Sequence, residues 1–175
     1  DLVESAVQGH RDHLGAYRDF RKDAAFELAS LADQAFRCGT DLGPLQGIPV
    51  SVKDLYGLSG TQTFAGSPKA LPQAFEKEGP VVSFLRRQHA VFMGKTHTVE
   101  FAFGGLGVNS HWGTPRNPWD AKTHRVPGGS SCGAGVSIQE GSAMLALGSD
   151  TAGSVRVPAS MTGCVGLKTS FGRWS

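Results

Sequence analysis

Apolar positions recur along the chain with two distinct periods. Ala24, Ala25, Leu28, Leu31, Ala32, Ala35 and Phe36 repeat at helical spacing and Gly39 offers a stop, which predicts an amphipathic helix over residues 21–38. Ile48, Val50 and Val52 alternate with Pro49 and Ser51, the pattern of a short strand ending at Lys53. Pro80 suits a first helical position, and the helix is expected to continue through 81–88. The compact apolar run 90–93 reads as a buried strand ending at Gly94-Lys95. Residues 104–129 are rich in Gly, Pro and Asn and predict a long loop. A helix over 135–140 and a strand over 143–147 follow. Strands alternating with helices define an α/β fold. Neither an internal repeat nor a linker marks a second domain.

Composition sharpens this picture. The chain has 175 residues, 39% of them hydrophobic and 18% charged, which excludes a disordered tail or acidic linker. The net charge of +2 is spread without a basic run or interleaved aromatic residues, so no nucleic-acid partner is expected. No apolar run approaches the ~18 residues that span a bilayer. Residues 1–9 lack the basic and apolar regions of a signal peptide. The chain opens on Asp1, which reads as processed or excerpted. Cys38, Cys132 and Cys164 form no CxxC and are odd in number, so unpaired thiols and a cytoplasmic setting are expected. Glycine changes the picture most. The chain holds 24 glycines, roughly twice ordinary usage, and 14 of them follow residue 100. They punctuate a nearly uncharged stretch, 126–155, whose only charged residues are Glu140 and Asp150. Glycine lets the backbone approach a ligand closely, although the same pattern also suits tight turns in a loop-rich protein.

Several chemistries compete for that stretch. Gly128 to Gly133 has phosphate-loop spacing, but Ala134 and Gly135 stand where Lys and Ser/Thr belong. Gly133-Ala-Gly135 begins like a dinucleotide fingerprint and lacks its third glycine. Gly129-Ser-Ser131-Cys-Gly133 satisfies G-x-S-x-G and would make Ser131 a nucleophile on a strand-to-helix elbow. Pro127 makes a poor strand there, and the last histidine, His124, precedes the serine. His10 and His13 lie three apart on an expected helix face without an acid or Cys to complete a metal set, so no metal site is expected. A serine activated by a neutral lysine remains. Burial lowers a lysine's pKa, and both Lys53 and Lys95 end apolar strands.

At this point three ordered motifs resemble a known family. Gly47-Ile-Pro-Val-Ser-Val-Lys-Asp54, Pro127-Gly-Gly-Ser-Ser131 and Ala146-Leu-Gly-Ser-Asp-Thr-Ala-Gly-Ser-Val-Arg-Val-Pro-Ala159 look like the amidase signature family. Segments around Gly94-Lys-Thr96, Glu100-Phe-Ala-Phe-Gly104, Arg116-Asn-Pro-Trp119 and Gly163-Cys-Val-Gly-Leu-Lys168 are similar to its intervening and following regions. The resemblance covers nearly the whole chain from Leu45 onward. It implies an α/β fold with a mixed central sheet flanked by helices, of which residues 1–175 form the N-terminal part within a longer chain. It also implies amide hydrolysis by a Ser–cis-Ser–Lys triad. By position, Ser154 is the nucleophile, Ser130 the bridging serine after a cis peptide from Gly129, and Lys53 the base. The two serines are 24 residues apart, the family's spacing. Backbone N–H groups of Thr151, Ala152, Gly153 and Ser154 would bind the oxyanion. Asp150 and Arg156 suit an ion pair that holds this loop.

Three positions depart from the family's commoner pattern. Cys132 and Ala152 stand where Gly is usual, and Thr169 where Pro is usual. None removes a triad member. The implied enzyme needs no cofactor and acts on a small-molecule amide, and the sequence leaves homo-oligomerisation open. Two alternatives stand beside it. One is the A subunit of a tRNA-dependent amidotransferase, which has the same triad and would bring tRNA and partner subunits. The other is a non-catalytic Gly-rich binding domain.

Overall fold

A computed structural model describes residues 2–173. Its centre is a four-stranded sheet in the order β1-β3-β2-β4. Strand β2 (Pro49–Lys53) is buried at all five positions and lies between parallel β3 (Val91–Thr96) and β4 (Leu145–Leu147). Strand β1 (Tyr17–Phe20) closes the far edge, antiparallel to β3. Parallel strands covered on both faces read as apolar runs, which is why 90–93 stands out in the sequence, whereas β2 keeps an alternating pattern because its buried Ser51 hydroxyl is hydrogen-bonded to Ser137 Oγ.

The expected strand at 90–93 is longer than predicted. It runs on through Gly94 and Lys95 to Thr96, with an irregularity in its pairing to β2 between Val50 and Ser51. Gly94 permits this because its φ is 143° and a Cβ there would sit 2.1 Å from the Asp19 carbonyl oxygen of β1. The resulting register pairs Lys53 with Thr96 and Val52 with Lys95. Paired residues share a face and successive residues alternate, so Lys53 and Lys95 emerge on opposite faces of the sheet.

Each face carries its own apolar cluster. Val50, Val52 and Phe92 pack with Val82 and Leu85 of α3 (Pro80–Arg87), whose Pro80 start is legible in the sequence. On the other face Val91 and Met93 pack with Val136 of α4 (Cys132–Gln139), with Ala25 and Ala29 of α2 (Lys22–Arg37), and with Val3 and Ala6 of α1 (Leu2–Gly9). Helix α2 matches the predicted helix, but it buries its alanines and leaves Leu31 and Phe36 exposed. Helix α4 begins at Cys132, directly after the serine pair, rather than at Gly135. The strand expected over 143–147 is confined to the three residues of β4. Helices α1 and α5 (Arg156–Thr162) and strand β1 carry no clear sequence signal. Helices α4 and α5 pack so closely that a Cβ on Gly135 would lie 2.5 Å from Thr162 Oγ1. The expected loop over 104–129 contains no helix or strand. The mixed α/β class predicted from the sequence is therefore the observed one. None of the helices among the described residues is long and apolar enough to cross a membrane.

A buried ion cluster ties β1, β2 and β3 together. Asp54 Oδ2 accepts from Arg18 Nε at 2.8 Å, and Lys95 Nζ lies 2.9 Å from Asp54 Oδ1. The second contact is an ion pair outside hydrogen-bond alignment, since Oδ1 has no hydrogen-bond donor among the described residues. Lys95 donates instead to Thr63 Oγ1 at 3.0 Å. Removing one member of a buried pair leaves the other charge uncompensated. Asp54→Ala is therefore expected to lower unfolding stability by about 3–5 kcal/mol in urea denaturation. A loss below about 1 kcal/mol would show that the cluster contributes little.

Candidate active site

The end of β2 delivers Lys53 to the carboxyl edge of the parallel strands, where α/β sheets commonly hold their ligands. Its side chain is fully buried, on the face covered by α4. Three serine hydroxyls surround it. Nζ lies 2.7 Å from Ser130 Oγ, 2.9 Å from Ser131 Oγ and 3.0 Å from Ser149 Oγ. None of its hydrogen-bond partners is a carboxylate. Burial pushes its pKa down from 10.5 to about 8, with Cys132 and Asp150 opposing weakly. The Cys132 thiol is itself pushed up to about 12 by burial, so it stays neutral where Lys53 titrates and is a poor second nucleophile. Lys95 is also pushed down by burial, yet Asp54 opposes that shift and the register sends it to the other face. Between the two lysines legible as candidates, only Lys53 meets the serines.

Two turns bring those serines in. The Gly129–Ser130 peptide is cis, as the motif implied. The Ser130 carbonyl accepts from the N–H groups of Val99 and Cys132, and Gly129 N–H donates to the Gly105 carbonyl. The second turn follows β4, which pairs with β2 and so places residues 148–154 over Lys53. Tyr56 donates its hydroxyl to the Gly148 carbonyl at 2.8 Å. Asp150 organises the rest of this turn. Its carboxylate accepts from the N–H groups of Gly153, Val155 and Arg156 and from Arg156 Nε and Nη2, both at 3.0 Å. The Arg156 guanidinium and these N–H groups hold the Asp150 carboxyl well below the usual range. The ion pair read from the sequence is thus present and braces the loop.

Ser154 lies beside the serine pair through its carbonyl, which accepts from Ser131 N–H at 3.1 Å. Its half-buried hydroxyl has no hydrogen-bond partner among the described residues. The structure therefore joins Lys53 and Ser130 directly and brings Ser154 alongside without a hydrogen bond between the two serine hydroxyls. Of the four expected oxyanion donors, Gly153 N–H is already given to Asp150 at 2.8 Å. The N–H groups of Thr151, Ala152 and Ser154 have no acceptor among the described residues. Successive free N–H groups in one turn make an anion-binding concavity.

The competing readings meet this geometry poorly. Ser131 is buried, follows no strand, and donates to the Ser149 carbonyl at 3.4 Å, so it is no exposed elbow nucleophile. His10 lies past the end of α1 between Asp12 and Glu140, while His13 sits in a one-turn 3-10 helix. No group of three or more His, Cys, Asp or Glu among the described residues is arranged to hold a metal. The three cysteines are free thiols. Sequence reasoning misses Ser149 and the part Ser131 plays at Lys53. Ser131 is visible only as a decoy nucleophile, and Ser149 carries no local signal.

The fold is a mixed α/β sheet whose second strand delivers a buried lysine onto a cluster of serine hydroxyls. The profile of the Amidase family matches residues 2–175, and the chain belongs to that family, the amidase signature enzymes. It is 61% identical, over 99% of its length, to a 2-amino-5-chloromuconic acid deaminase of Comamonas testosteroni, of which it covers 38%. It is 42% identical, over 91% of its length, to the A subunit of the glutamyl-tRNA(Gln) amidotransferase of Symbiobacterium thermophilum, covering 32% of that protein. Among solved structures, the native peptide amidase of Stenotrophomonas maltophilia superposes with a TM-score of 0.80 at 32% identity, covering 92% of this chain and 34% of that one. The chain thus spans roughly a third of the length of the relatives it matches.

Proposed function

We propose that this chain carries the Ser154–Ser130–Lys53 triad of an amidase that breaks a carboxylic amide C–N bond through an acyl-enzyme, and that residues 1–175 are part of a longer amidase domain. The observation that carries the reading is the buried Lys53 amine, held by serine hydroxyls and not by an acid. Near neutral pH a useful fraction of such an amine is uncharged. Neutral Lys53 takes the proton of Ser130, and Ser130 takes the proton of Ser154 as its Oγ attacks the carbonyl. The free N–H groups of Thr151, Ala152 and Ser154 donate to the developing oxyanion, each such donor being worth roughly 3 kcal/mol in related chemistry. The proton then returns through Ser130 to the departing amine, and water cleaves the ester by the same relay. The free thiols favour a cytoplasmic enzyme.

Two substrate classes follow. One is a linear amide, as for the peptide amidase. The other is an amino-substituted unsaturated dicarboxylic acid, favoured by the 61% identity to the deaminase. In the amide the serine attacks the carbonyl carbon, the amine leaves and water cleaves the acyl-enzyme. In the amino acid the enamine first tautomerises to the imine, a nucleophile adds to that carbon, ammonia leaves, and water's oxygen ends in the 2-oxo acid without an acyl-enzyme. A second reading, favoured by the 42% identity to a component of an amidotransferase, has glutamine as the ammonia donor and tRNA and partner subunits as company. The discriminating experiment offers simple amides, glutamine with and without tRNA, and aminomuconic acids to the protein at its natural length, and measures ammonia release. Turnover of amides or aminomuconates without tRNA supports the amidase. Glutaminase activity that requires tRNA supports the amidotransferase component. No ammonia from any of them overturns the proposal.

A further inference from the structure

Lys53 has more partners than a proton relay requires, and their arrangement is informative. A charged amine has three N–H donors; a neutral one has two donors and one lone pair. Lys53 meets three hydroxyls, at 2.7, 2.9 and 3.0 Å. Ser131 Oγ lies 3.4 Å from the Ser149 carbonyl, which can take its proton and leave its lone pairs to Lys53. The Ser149 hydroxyl has no other partner among the described residues. Ser149 stands just past the end of β4, whose pairing with β2 fixes its distance from Lys53.

Building on the triad reading, we propose that Ser149 is a positioning residue. Together with Ser131 it accepts both N–H groups of neutral Lys53 and so turns the remaining lone pair onto Ser130, the nearest hydroxyl. The same three oxygens accept all three N–H groups once the amine is protonated. Both states are satisfied without a side chain moving, and the relay can run in either direction.

The test compares Ser149→Thr, which keeps the hydroxyl, with Ser149→Val, which has nearly the same shape without it, in the protein at its natural length. Ser149→Thr is expected to keep the parent kcat. Ser149→Val is expected to lose on the order of tenfold to a hundredfold in kcat with KM little changed, because the amine loses its orientation and not its substrate. The acid limb of the pH–rate profile should also move to lower pH in Ser149→Val, since a buried ammonium that loses an acceptor is harder to keep charged. Equal kcat and equal limbs in the two variants overturn the proposal. So does a loss of activity with an unmoved limb, which is what a merely structural role produces. Ser130→Ala and Ser154→Ala run beside them separate the two levels. If these are inactive while Ser149→Val behaves like the parent, only the positioning role fails. If they too are fully active, the triad reading itself fails.

Discussion

Ser154→Ala is expected to lower kcat/KM for amide substrates by roughly ten-thousand-fold or more, while leaving the thermal midpoint nearly unchanged. Removing a serine nucleophile leaves only what binding and oxyanion donors supply. The fold should tolerate the change because the Ser154 hydroxyl has no hydrogen-bond partner among the described residues. Its attachments run through the backbone: its carbonyl accepts from Ser131, and the neighbouring Gly153 N–H donates to Asp150. A large activity loss with an intact melting curve therefore separates a nucleophile from a structural serine. Retained amide hydrolysis in this variant would contradict the triad and place the nucleophile on another residue.

The second large effect is expected at Lys53. In the parent protein the neutral fraction of this amine grows as pH rises toward about 8, so kcat/KM should climb about tenfold per pH unit below that value and level above it. The sign follows from the role: a base works deprotonated, and protonation at lower pH removes it. Lys53→Ala should lower the rate at pH 7 by roughly 10²–10⁴-fold and abolish the plateau. Its residual rate should keep rising at alkaline pH, where hydroxide replaces the missing base. Lys95→Ala should behave differently. It strips Asp54 of a buried partner, so its main effect falls on stability, with the acid limb near pH 8 retained. A Lys53→Ala variant with the parent pH profile would transfer the base to another group.

The residues of the proposed triad, Lys53, Ser130 and Ser154, can be picked out in the sequence because each sits in a motif, and the motifs come in the family's order. Lys53 and Lys95 are not separable by local pattern, since each follows an apolar strand. Register separates them, and register depends on the pairing irregularity in β3 that Gly94 allows. Ser149 lies 96 residues from Lys53 and reaches it only through the parallel pairing of β2 with β4. A hydroxyl beside Asp150 gives no hint of that in one dimension. Helix α5 is hidden because Pro158 reads in sequence as a helix break, although it falls in the first turn, where no intrahelical N–H bond is lost. Helix α4 reads three residues too short because Cys132, Gly133 and Ala134 look like loop, although close packing against Ala16, His97 and Thr96 accounts for the glycine at 133.

Attack on the substrate through Ser154 is the step on which the whole mechanism rests, and acyl-group mapping addresses it. The protein at its natural length is quenched during turnover of a slowly deacylating amide or activated ester, digested with trypsin, and fragmented by mass spectrometry. No Lys or Arg lies between Arg125 and Arg156, so Ser130, Ser131, Ser149, Ser154 and Cys132 leave in a single peptide and compete on equal terms. The triad requires an acyl group on Ser154 alone, absent from Ser154→Ala and accumulating more slowly in Lys53→Ala. An acyl group on Ser131 or Cys132 that persists in Ser154→Ala would contradict it.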